Sequence, residues 1–314
     1  MSFADKHIVF AGAAIPGWEE HWWSPRTTMG KIVARALAPL GYEVTIDPRG
    51  WGRTNSRLVA EGEAQLGALG ADHLGWAYAG QFDFAASGGN QSLRTIASIH
   101  FPAWLGVAVR WETGITSLAQ IKERQLPVRV VTTGGPQFQM ILAHYGLSRE
   151  LIESWGGKFL RTTHHPLTWF VTNGDYDVIL DAVYAAYAPE ARHWWEASVR
   201  HELRFLPLPE DLIQFIAKET GAEPGFIPHQ LMRGVVGDIP SLARPPHLIY
   251  GRDDMPEDFA YVLAKTLDAK SNLFREVFLH YSYDHKTAGR SALVPLHPGA
   301  ERFYREVGYP TDPR

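Results

Sequence analysis

The segment Leu58–Gly80, LVAEGEAQLGALGADHLGWAYAG, decides the fold class. An amphipathic helix is predicted to end near Val59, because Gly62 provides the permissive backbone that stops it. Gln65–Gly70 is small and apolar, which is typical of a strand buried on both faces of a parallel sheet. Asp72 follows the carboxyl end of that strand, in a predicted turn. Ligands of open α/β sheets bind at this end.

Strand and helix patterns alternate on both sides of this segment. The predicted strands are Lys6–Phe10, Glu43–Asp47, Gln65–Gly70, Leu93–Ile99, Leu105–Arg110, Pro127–Thr132, Lys158–Arg161, Asp177–Leu180, Leu203–Leu206 and His247–Gly251. The predicted helices include residues 27–40, 54–61, 137–144, 167–172 and 256–268. Repeated βαβ units of this kind predict an α/β fold, with mostly parallel sheets flanked by helices.

Two passages predict a division of the chain into two lobes. A break at Pro102–Trp104 and a Pro- and Gly-rich passage over Glu223–Pro246 are interpreted as crossings between the lobes. The predicted first lobe spans residues 1–103, the second 104–239, and the chain returns to the first over 240–314. With 314 residues, of which 45% are hydrophobic, the chain is long enough for two cores.

Composition excludes several functional classes. A formal net charge of -4 and scattered Lys and Arg residues provide no basic surface for nucleic acid. No apolar run approaches the roughly 20 residues that span a bilayer, so direct membrane insertion is not expected. The absence of cysteine removes thiol nucleophiles and thiolate metal sites. We expect neither a cofactor nor a metal ion.

The start of the chain leaves two locations open. No basic stretch followed by an apolar stretch precedes the first predicted strand, so no export signal is evident. The expected location is periplasmic if a signal peptide was removed, and cytoplasmic if Met1 is the native start.

In the first lobe, candidate ligand-binding residues follow the predicted strands. A helix N-terminus after the first strand favours an anion, although Ser24 or Thr27 can equally serve as its cap. In the next loop Gly50 lets backbone approach a ligand, and Arg49 or Arg53 can clamp a carboxylate. The candidates are Trp22, Trp23, Ser24, Thr28, Gly50, Trp51, Arg53, Asn55, Asp72 and His100.

In the second lobe, the candidates again follow predicted strands. Gly134 and Gly135 form a possible cradle for a carboxylate at the start of a helix, with Gln137 in its first turn. His164 and His165 follow the next strand. On an extended segment they point to opposite faces, so at most one faces the ligand. The candidates here are Gly134, Gly135, Gln137, His164 and Tyr184.

Nearly the whole chain resembles the TAXI family of solute receptors, the substrate-binding subunits of one class of TRAP transporter. The resemblance is carried by residues 58–80, LRTIASI at 93–99, GITSLAQIK at 114–122, NGDYDVILDA at 173–182 and PLHPGAERFYRE at 295–306. It implies a two-lobed periplasmic-binding-protein type II-like fold, a small carboxylate ligand in a cleft between the lobes, and membrane subunits as partners.

The aromatic content narrows the expected ligand, and one alternative function stays open. Eleven tryptophans, several of them at predicted strand ends, favour an aromatic or hydrophobic carboxylate. The favoured function is a binding protein without catalysis. The alternative is a cytosolic, cofactor-independent enzyme on the same fold, a decarboxylase or dehydratase acting on an aromatic carboxylic acid. Its acid/base candidates are His100, His164 and His165, with Asp72 or Asp181 as partner.

Overall fold

The computed structural model of the protein describes residues 5–14, 24–100, 102–162, 164–185, 192–277 and 283–312, without the side chains of residues 164–166. The chain forms two compact units. The first comprises Met1–Phe101 and Pro245–Arg314, and the second is Pro102–Arg244. The second unit is therefore inserted between two parts of the first.

The helices and strands alternate through most of the chain. The first part contains β1 (His7–Ala11), α1 (Pro25–Leu37), β2 (Glu43–Asp47), α2 (Arg53–Ala60), β3 (Leu66–Gly70), α3 (Ala71–Ala79) and β4 (Leu93–Ile99). The inserted unit contains β5 (Ala103–Arg110), α4 (Ala119–Glu123), β6 (Arg129–Thr132), α5 (Pro136–His144), α6 (Arg149–Ser154), β7 (Lys158–Arg161), α7 (His164–Thr172), β8 (Val178–Tyr184), α8 (His193–Arg200), β9 (Leu203–Phe205), α9 (Glu210–Thr220), β10 (Glu223–Ile227) and β11 (Ile239–Ala243). The chain ends with β12 (His247–Arg252), α10 (Glu257–Ala269), α11 (Asn272–Arg275) and α12 (Pro298–Glu306).

The first unit is built on a five-stranded sheet in the order β2-β1-β3-β12-β4. β1 pairs in parallel with β2 and β3, whereas β12 is antiparallel to both β3 and β4. Every residue of β3 is buried, which agrees with its small, apolar sequence. Parallel pairing brings the carboxyl ends of β1, β2 and β3 to one edge of the sheet.

The turn predicted after β3 is instead the start of a helix. α3 begins at Ala71, directly after the strand, and Asp72 lies in its first turn. An acidic residue at this position is favoured by the positive end of the helix dipole. Ala71, Leu74, Trp76 and Ala77 of this helix are buried in the core of the first unit.

The second unit contains a seven-stranded sheet, in which β10, β11, β5, β8, β6 and β7 follow one another and β9 pairs with β5. β6 is parallel to β7 and β8, and the pairs of β5 with β8, β9 and β11 are antiparallel. Its main core is aliphatic, formed by strand residues such as Val107 and Val130 with Ile141 and Ile216 from the helices.

The passage predicted as the second crossing belongs to the second unit. Glu223–Ile227 and Ile239–Ala243 form an antiparallel pair, β10 with β11, and Ala243 pairs with Trp104 of β5. The chain therefore returns to the first unit at Pro245 and not at residue 240. Pro224 and Gly225 are tolerated because they lie in β10, an edge strand, where a missing ladder hydrogen bond costs little.

The observed architecture confirms the predicted class, a two-lobed α/β fold of the periplasmic-binding-protein type, although both sheets are mixed. Among the residues that the structure describes, no helix combines the length and the apolar character that crossing a membrane requires.

Candidate functional site

Ser24 and Thr27 fix the beginning of α1 to the end of β1. Ser24 is the N-cap, and its hydroxyl accepts a hydrogen bond from the Thr27 amide at 3.1 Å. Both hydroxyls also lie within hydrogen-bond distance of the Ala13 carbonyl oxygen, at 2.9 and 2.8 Å. Both side chains are buried. The capping role left open by the sequence is therefore present, while the half-buried Thr28 hydroxyl has no hydrogen-bond partner among the described residues.

Gly50 and Trp51 hold the loop after β2 against the loop after β1. A Cβ atom on Gly50 would collide with the Gly12 carbonyl oxygen, so only glycine fits here without a shift. The Trp51 indole N–H donates to the Ala14 carbonyl oxygen at 2.8 Å. Trp51 is half-buried. Both predicted ligand residues thus support the backbone of the first loop.

Asn55 is fully buried and links three segments of the first unit. Its Nδ2 atom donates to the Ala11 carbonyl oxygen at 2.7 Å, at the carboxyl end of β1. Its Oδ1 atom accepts from the Tyr250 hydroxyl of β12 at 2.5 Å. The amide that the sequence predicted as a ligand donor is engaged in the scaffold.

The two arginines of this loop have different surroundings. Arg49 contacts both carboxylate oxygens of Asp47 through Nε, at 3.0 and 3.1 Å, and Glu63 at 2.9 Å. These hydrogen bonds lower the pKa of Asp47 and of Glu63. Arg53 donates to the Asp83 carbonyl oxygen at 2.9 Å, beside a groove of about 380 Å³ within the first unit. Arg49 is therefore committed to protein carboxylates.

Asp72 and His100, the remaining candidates of the first unit, differ in burial. Asp72 is fully buried and accepts from the His73 backbone N–H at 2.8 Å, with the His73 Nδ1 atom 3.0 Å from the same oxygen. The His73 ring packs on Trp76. His100 is exposed at the end of β4. The described contacts do not bring His100 and Asp72 together as an acid/base pair.

Some candidates lie outside the described residues. Trp22 and Trp23 are among them, so their predicted contact with an aromatic or hydrophobic ligand stays a prediction. His164 and His165 begin α7 and do not lie on an extended segment, which removes the basis for placing them on opposite faces. Their side chains are outside the description, and their binding or acid/base roles stay predictions.

In the second unit, the predicted glycine turn has the required backbone. Gly134 and Gly135 have φ of 82° and 127°, a region that residues with a side chain rarely adopt. Gly135 is the N-cap of α5, and Gln137 is buried in the first helical turn. The structure thus brings Gly134, Gly135 and Gln137 together at a helix N-terminus, where N–H groups and the helix dipole favour an anion.

Arg161 lies over this turn and was missed by the sequence analysis. It is the last residue of β7 and pairs in register with Thr132 of β6. A Cβ atom on Gly134 would overlap its Nε atom. The exposed guanidinium makes no hydrogen bond or ion pair with any described residue. Its place at the end of a strand parallel to β6 was the signal that could have identified it.

Asp181 is part of a buried polar chain. The sequence predicted that Asp181 follows the strand. In the structure Asp181 lies inside β8, because the strand continues to Tyr184. The Thr133 hydroxyl donates to Asp181 Oδ1, and His193 Nε2 lies 2.8 Å from Asp181 Oδ2. Asp181 and His193 are both fully buried. No motif in the sequence connects His193 with Asp181, since only the packing of α8 on the sheet brings them together.

The aromatic residues near this chain serve the core. Trp194 is buried, donates its indole N–H to the Ala182 carbonyl oxygen at 2.8 Å, and stacks on Phe205 at 5.3 Å. Trp194 therefore packs in the core of the second unit. Tyr184, predicted to contact a ligand, is the buried last residue of β8, paired with Ala103.

The two mixed sheets, each flanked by helices, define the class of periplasmic-binding-protein-like proteins. Within this class the chain belongs to the NMT1-like family, whose model matches residues 27–308.

Solved structures with a similar fold share little sequence with this chain. XAC2383 of Xanthomonas citri, bound to chloride, is 14% identical, with 96% of each chain covered and a TM-score of 0.50. A TctC solute-binding protein from Polaromonas is 13% identical, covering 88% of this chain and 90% of that one, with a TM-score of 0.49. MatC of Rhodopseudomonas palustris with bound malate is 12% identical, covering 85% and 86%, with a TM-score of 0.48. At this identity the first of these supports the fold alone.

Proposed function

We propose that this protein is a solute-binding receptor of the TAXI class, which captures a small carboxylate and delivers it to the membrane subunits of a TRAP transporter. The observation that carries the proposal is the Arg161 guanidinium, which has no partner among the described residues and lies against the Gly134–Gly135 turn. The ligand carboxylate is proposed to bind between that guanidinium and the start of α5.

The chemistry of this arrangement suits a carboxylate better than a neutral ligand. A guanidinium can donate two parallel hydrogen bonds to the two carboxylate oxygens. The first-turn N–H groups of α5 and the helix dipole add a second source of positive potential. Arg49 shows the contrast, because Asp47 and Glu63 already occupy its donors.

The nature of the ligand body and the partner rest on the sequence. The tryptophans around the first loop favour an aromatic or hydrophobic body. The resemblance to TAXI receptors supports the membrane subunits as partners and a periplasmic location. The proposed receptor needs no catalytic residue, and it returns its ligand chemically unchanged.

A binding experiment with two matched arginine variants tests the proposal. Phenylacetate, 3-phenylpropanoate and propionate are titrated calorimetrically into the native protein, Arg161→Gln and Arg49→Gln. We expect Arg161→Gln to weaken binding by about tenfold or more without changing the unfolding midpoint, since a charged hydrogen bond is lost. Arg49→Gln, which removes only contacts within the scaffold, should leave the affinity unchanged.

Two results would contradict the proposal. If Arg161→Gln binds every probe as tightly as the native protein, the carboxylate does not bind at this turn. If chromatography after overnight incubation shows that a bound probe has been consumed, the protein is an enzyme and the receptor function is wrong.

A further inference from the structure

The Thr133 hydroxyl has a fixed direction beside the proposed carboxylate site. We infer that Thr133 acts as a hydrogen-bond acceptor toward the ligand, and that the protein therefore selects carboxylates with a hydroxyl group on the adjacent carbon. This inference rests on the proposed function, because it assumes that a carboxylate binds at the Gly134–Gly135 turn.

The direction follows from proton counting on the buried chain. A threonine hydroxyl has one proton, and that of Thr133 is donated to Asp181 Oδ1. The other carboxylate oxygen, Oδ2, faces His193 Nε2 at 2.8 Å. With His193 beside Oδ2, a proton exchanged between the two residues lies on Nε2 or on Oδ2, and Oδ1 remains an acceptor in both cases. Thr133 therefore donates to Asp181 in either state.

Burial keeps this arrangement in place. Asp181 and His193 are fully buried, so losing the 2.8 Å contact between Oδ2 and Nε2 would leave polar groups without compensation from water. Asp181 is central in β8, opposite Gly106 of β5. A Cβ atom on Gly106 would overlap Val183 and Trp194, which shows how closely the strands and α8 pack around the pair. Asp181 and His193 thus act as positioning residues for Thr133.

The lone pairs of the Thr133 oxygen are left for a ligand. Thr133 is half-buried, and no described residue donates a hydrogen bond to its hydroxyl. The proposed site offers donors for an anion, namely the Arg161 guanidinium and the N–H groups in the first turn of α5. A ligand that matches both features has an anionic group for the donors and, close to it, a hydrogen-bond donor for Thr133.

The positive charge of Arg161 distinguishes the two common hydrogen-bond donors on the carbon next to the carboxylate, an ammonium group and a hydroxyl group. An ammonium group next to the carboxylate would lie in the positive potential of the guanidinium and of the helix N-terminus, which disfavours it. A neutral hydroxyl group has no such penalty. A 2-oxo group fails for another reason, because its oxygen would face the lone pairs of Thr133 with no proton between them. We expect 2-hydroxy acids to bind best, then unsubstituted acids, with 2-oxo acids weakest.

The test compares acids that differ only at this carbon. Two series are titrated calorimetrically, each with a 2-hydroxy, an unsubstituted and a 2-oxo acid. The aromatic series is phenyllactate, 3-phenylpropanoate and phenylpyruvate, and the aliphatic series is lactate, propionate and pyruvate. Phenylalanine is added as the 2-ammonium acid. In the native protein the hydroxy acid of at least one series should bind about tenfold more tightly than the unsubstituted acid. Thr133→Val, which keeps the shape and removes the hydroxyl, should abolish this difference while the unsubstituted acid binds as before. Thr133→Ser should retain it.

A variant of the positioning residue tests the direction of the hydrogen bond. In Asp181→Asn the side-chain amide can donate to the Thr133 oxygen and free its proton for the ligand. The preference should then shift toward the 2-oxo acid, an outcome that a purely structural role for Asp181 does not predict. If Asp181→Asn does not fold, the Thr133→Val and Thr133→Ser pair still decides the inference, because Thr133 lies at the edge of the core.

The outcomes separate the inference from the function on which it rests. If hydroxy and unsubstituted acids bind equally and Thr133→Val changes nothing, the inference is wrong and the carboxylate receptor stands. If phenylalanine binds more tightly than phenyllactate, the hydroxyl assignment is wrong. If no acid of either series binds, the proposed function fails and the inference fails with it.

Discussion

The Tyr250 hydroxyl donates a hydrogen bond of 2.5 Å to Asn55 Oδ1, across 195 positions of the chain. Both side chains are fully buried. Because Asn55 also holds the end of β1 through the Ala11 carbonyl, this one amide joins β1, α2 and β12. The first and last parts of the first unit are thereby tied together at its sheet, and burial raises the pKa of Tyr250, so its hydroxyl stays protonated as a donor.

Removing the Tyr250 hydroxyl should destabilise the protein without affecting ligand affinity. In Tyr250→Phe, Asn55 Oδ1 loses its donor in a site without water access, and the expected loss is about 1–3 kcal/mol in the free energy of unfolding. Urea unfolding measures it. Tyr261→Phe is the matched control, since the Tyr261 hydroxyl contacts Glu306 at the surface and its loss should cost much less. Equal effects of the two changes would contradict the structural role of the Asn55–Tyr250 pair.

Gly50 is predicted to tolerate no side chain. Gly50→Ala would push its Cβ atom into the Gly12 backbone and close to Asn55 Nδ2, and overpacking of this kind costs about 1–3 kcal/mol. The comparison is Gly237→Ala, where no described atom beyond the adjoining residues of the chain lies within 4 Å of the added methyl group. Thermal unfolding of both variants checks this, and a Gly50→Ala protein as stable as Gly237→Ala would show that the loops after β1 and β2 do not pack as described.

The fold class was predictable because local sequence patterns indicate which segments are buried. Short apolar runs bounded by glycine, such as Leu66–Gly70, identify buried strands without any knowledge of their neighbours. The order of the strands was not accessible in this way. That β12 inserts between β3 and β4 depends on contacts such as those of Ile249 with Ala68 and Ala97, far apart in sequence.

The candidate site was predictable only in part, because hydrogen-bond partners are set by tertiary structure. The positive φ of Gly134 and Gly135 follows from the glycines themselves. Asn55 and Arg49, in contrast, look like ligand donors in the sequence. In the structure the Asn55 amide donates to the Ala11 carbonyl oxygen and the Arg49 guanidinium donates to Glu63. His193 was missed for the same reason, since Asp181 comes from another element.

His297 should make the first unit sensitive to acid. Its Nε2 atom lies 3.0 Å from the Met255 carbonyl oxygen, and its Nδ1 atom accepts from the Gly299 N–H at 3.2 Å, so the ring is neutral with its proton on Nε2. Burial lowers its pKa from the ordinary 6.5, against the smaller raising effects of Met255 and Glu257. The unfolded chain then binds more protons below about pH 6.5, and stability is lost as the pH falls.

One variant separates the contribution of His297 to the pH dependence of stability from that of the other histidines. His297→Asn keeps an acceptor at the start of α12 and removes the titrating group. Urea unfolding of both proteins between pH 8 and pH 5 should show that the native protein loses more stability than His297→Asn. The assignment is wrong if the two curves remain parallel.

Asp177 should stabilise the second unit at neutral pH and lose that effect in acid. Burial alone would raise the pKa of this carboxyl, but hydrogen bonds from the Arg129 side chain and backbone outweigh burial and lower it. The guanidinium contacts both oxygens, at 3.0 and 2.8 Å, and the Arg129 N–H donates at 2.7 Å. Asp177→Asn should therefore lower the free energy of unfolding at pH 7 by about 1.5–3 kcal/mol, as expected for hydrogen bonds to a charged group.

The sign of the pH dependence distinguishes this pair from a general effect of charge. A carboxyl with a lowered pKa stabilises the folded state above the unfolded value, near 3.8, and this contribution disappears as the pH falls through the folded value. The stability difference between the native protein and Asp177→Asn should therefore shrink in acid. Asp175→Asn provides the control on the same guanidinium, because Asp175 is 60% exposed and 3.9 Å away. If Asp175→Asn costs as much as Asp177→Asn, the stabilisation comes from net charge near Arg129 and not from the hydrogen-bonded pair.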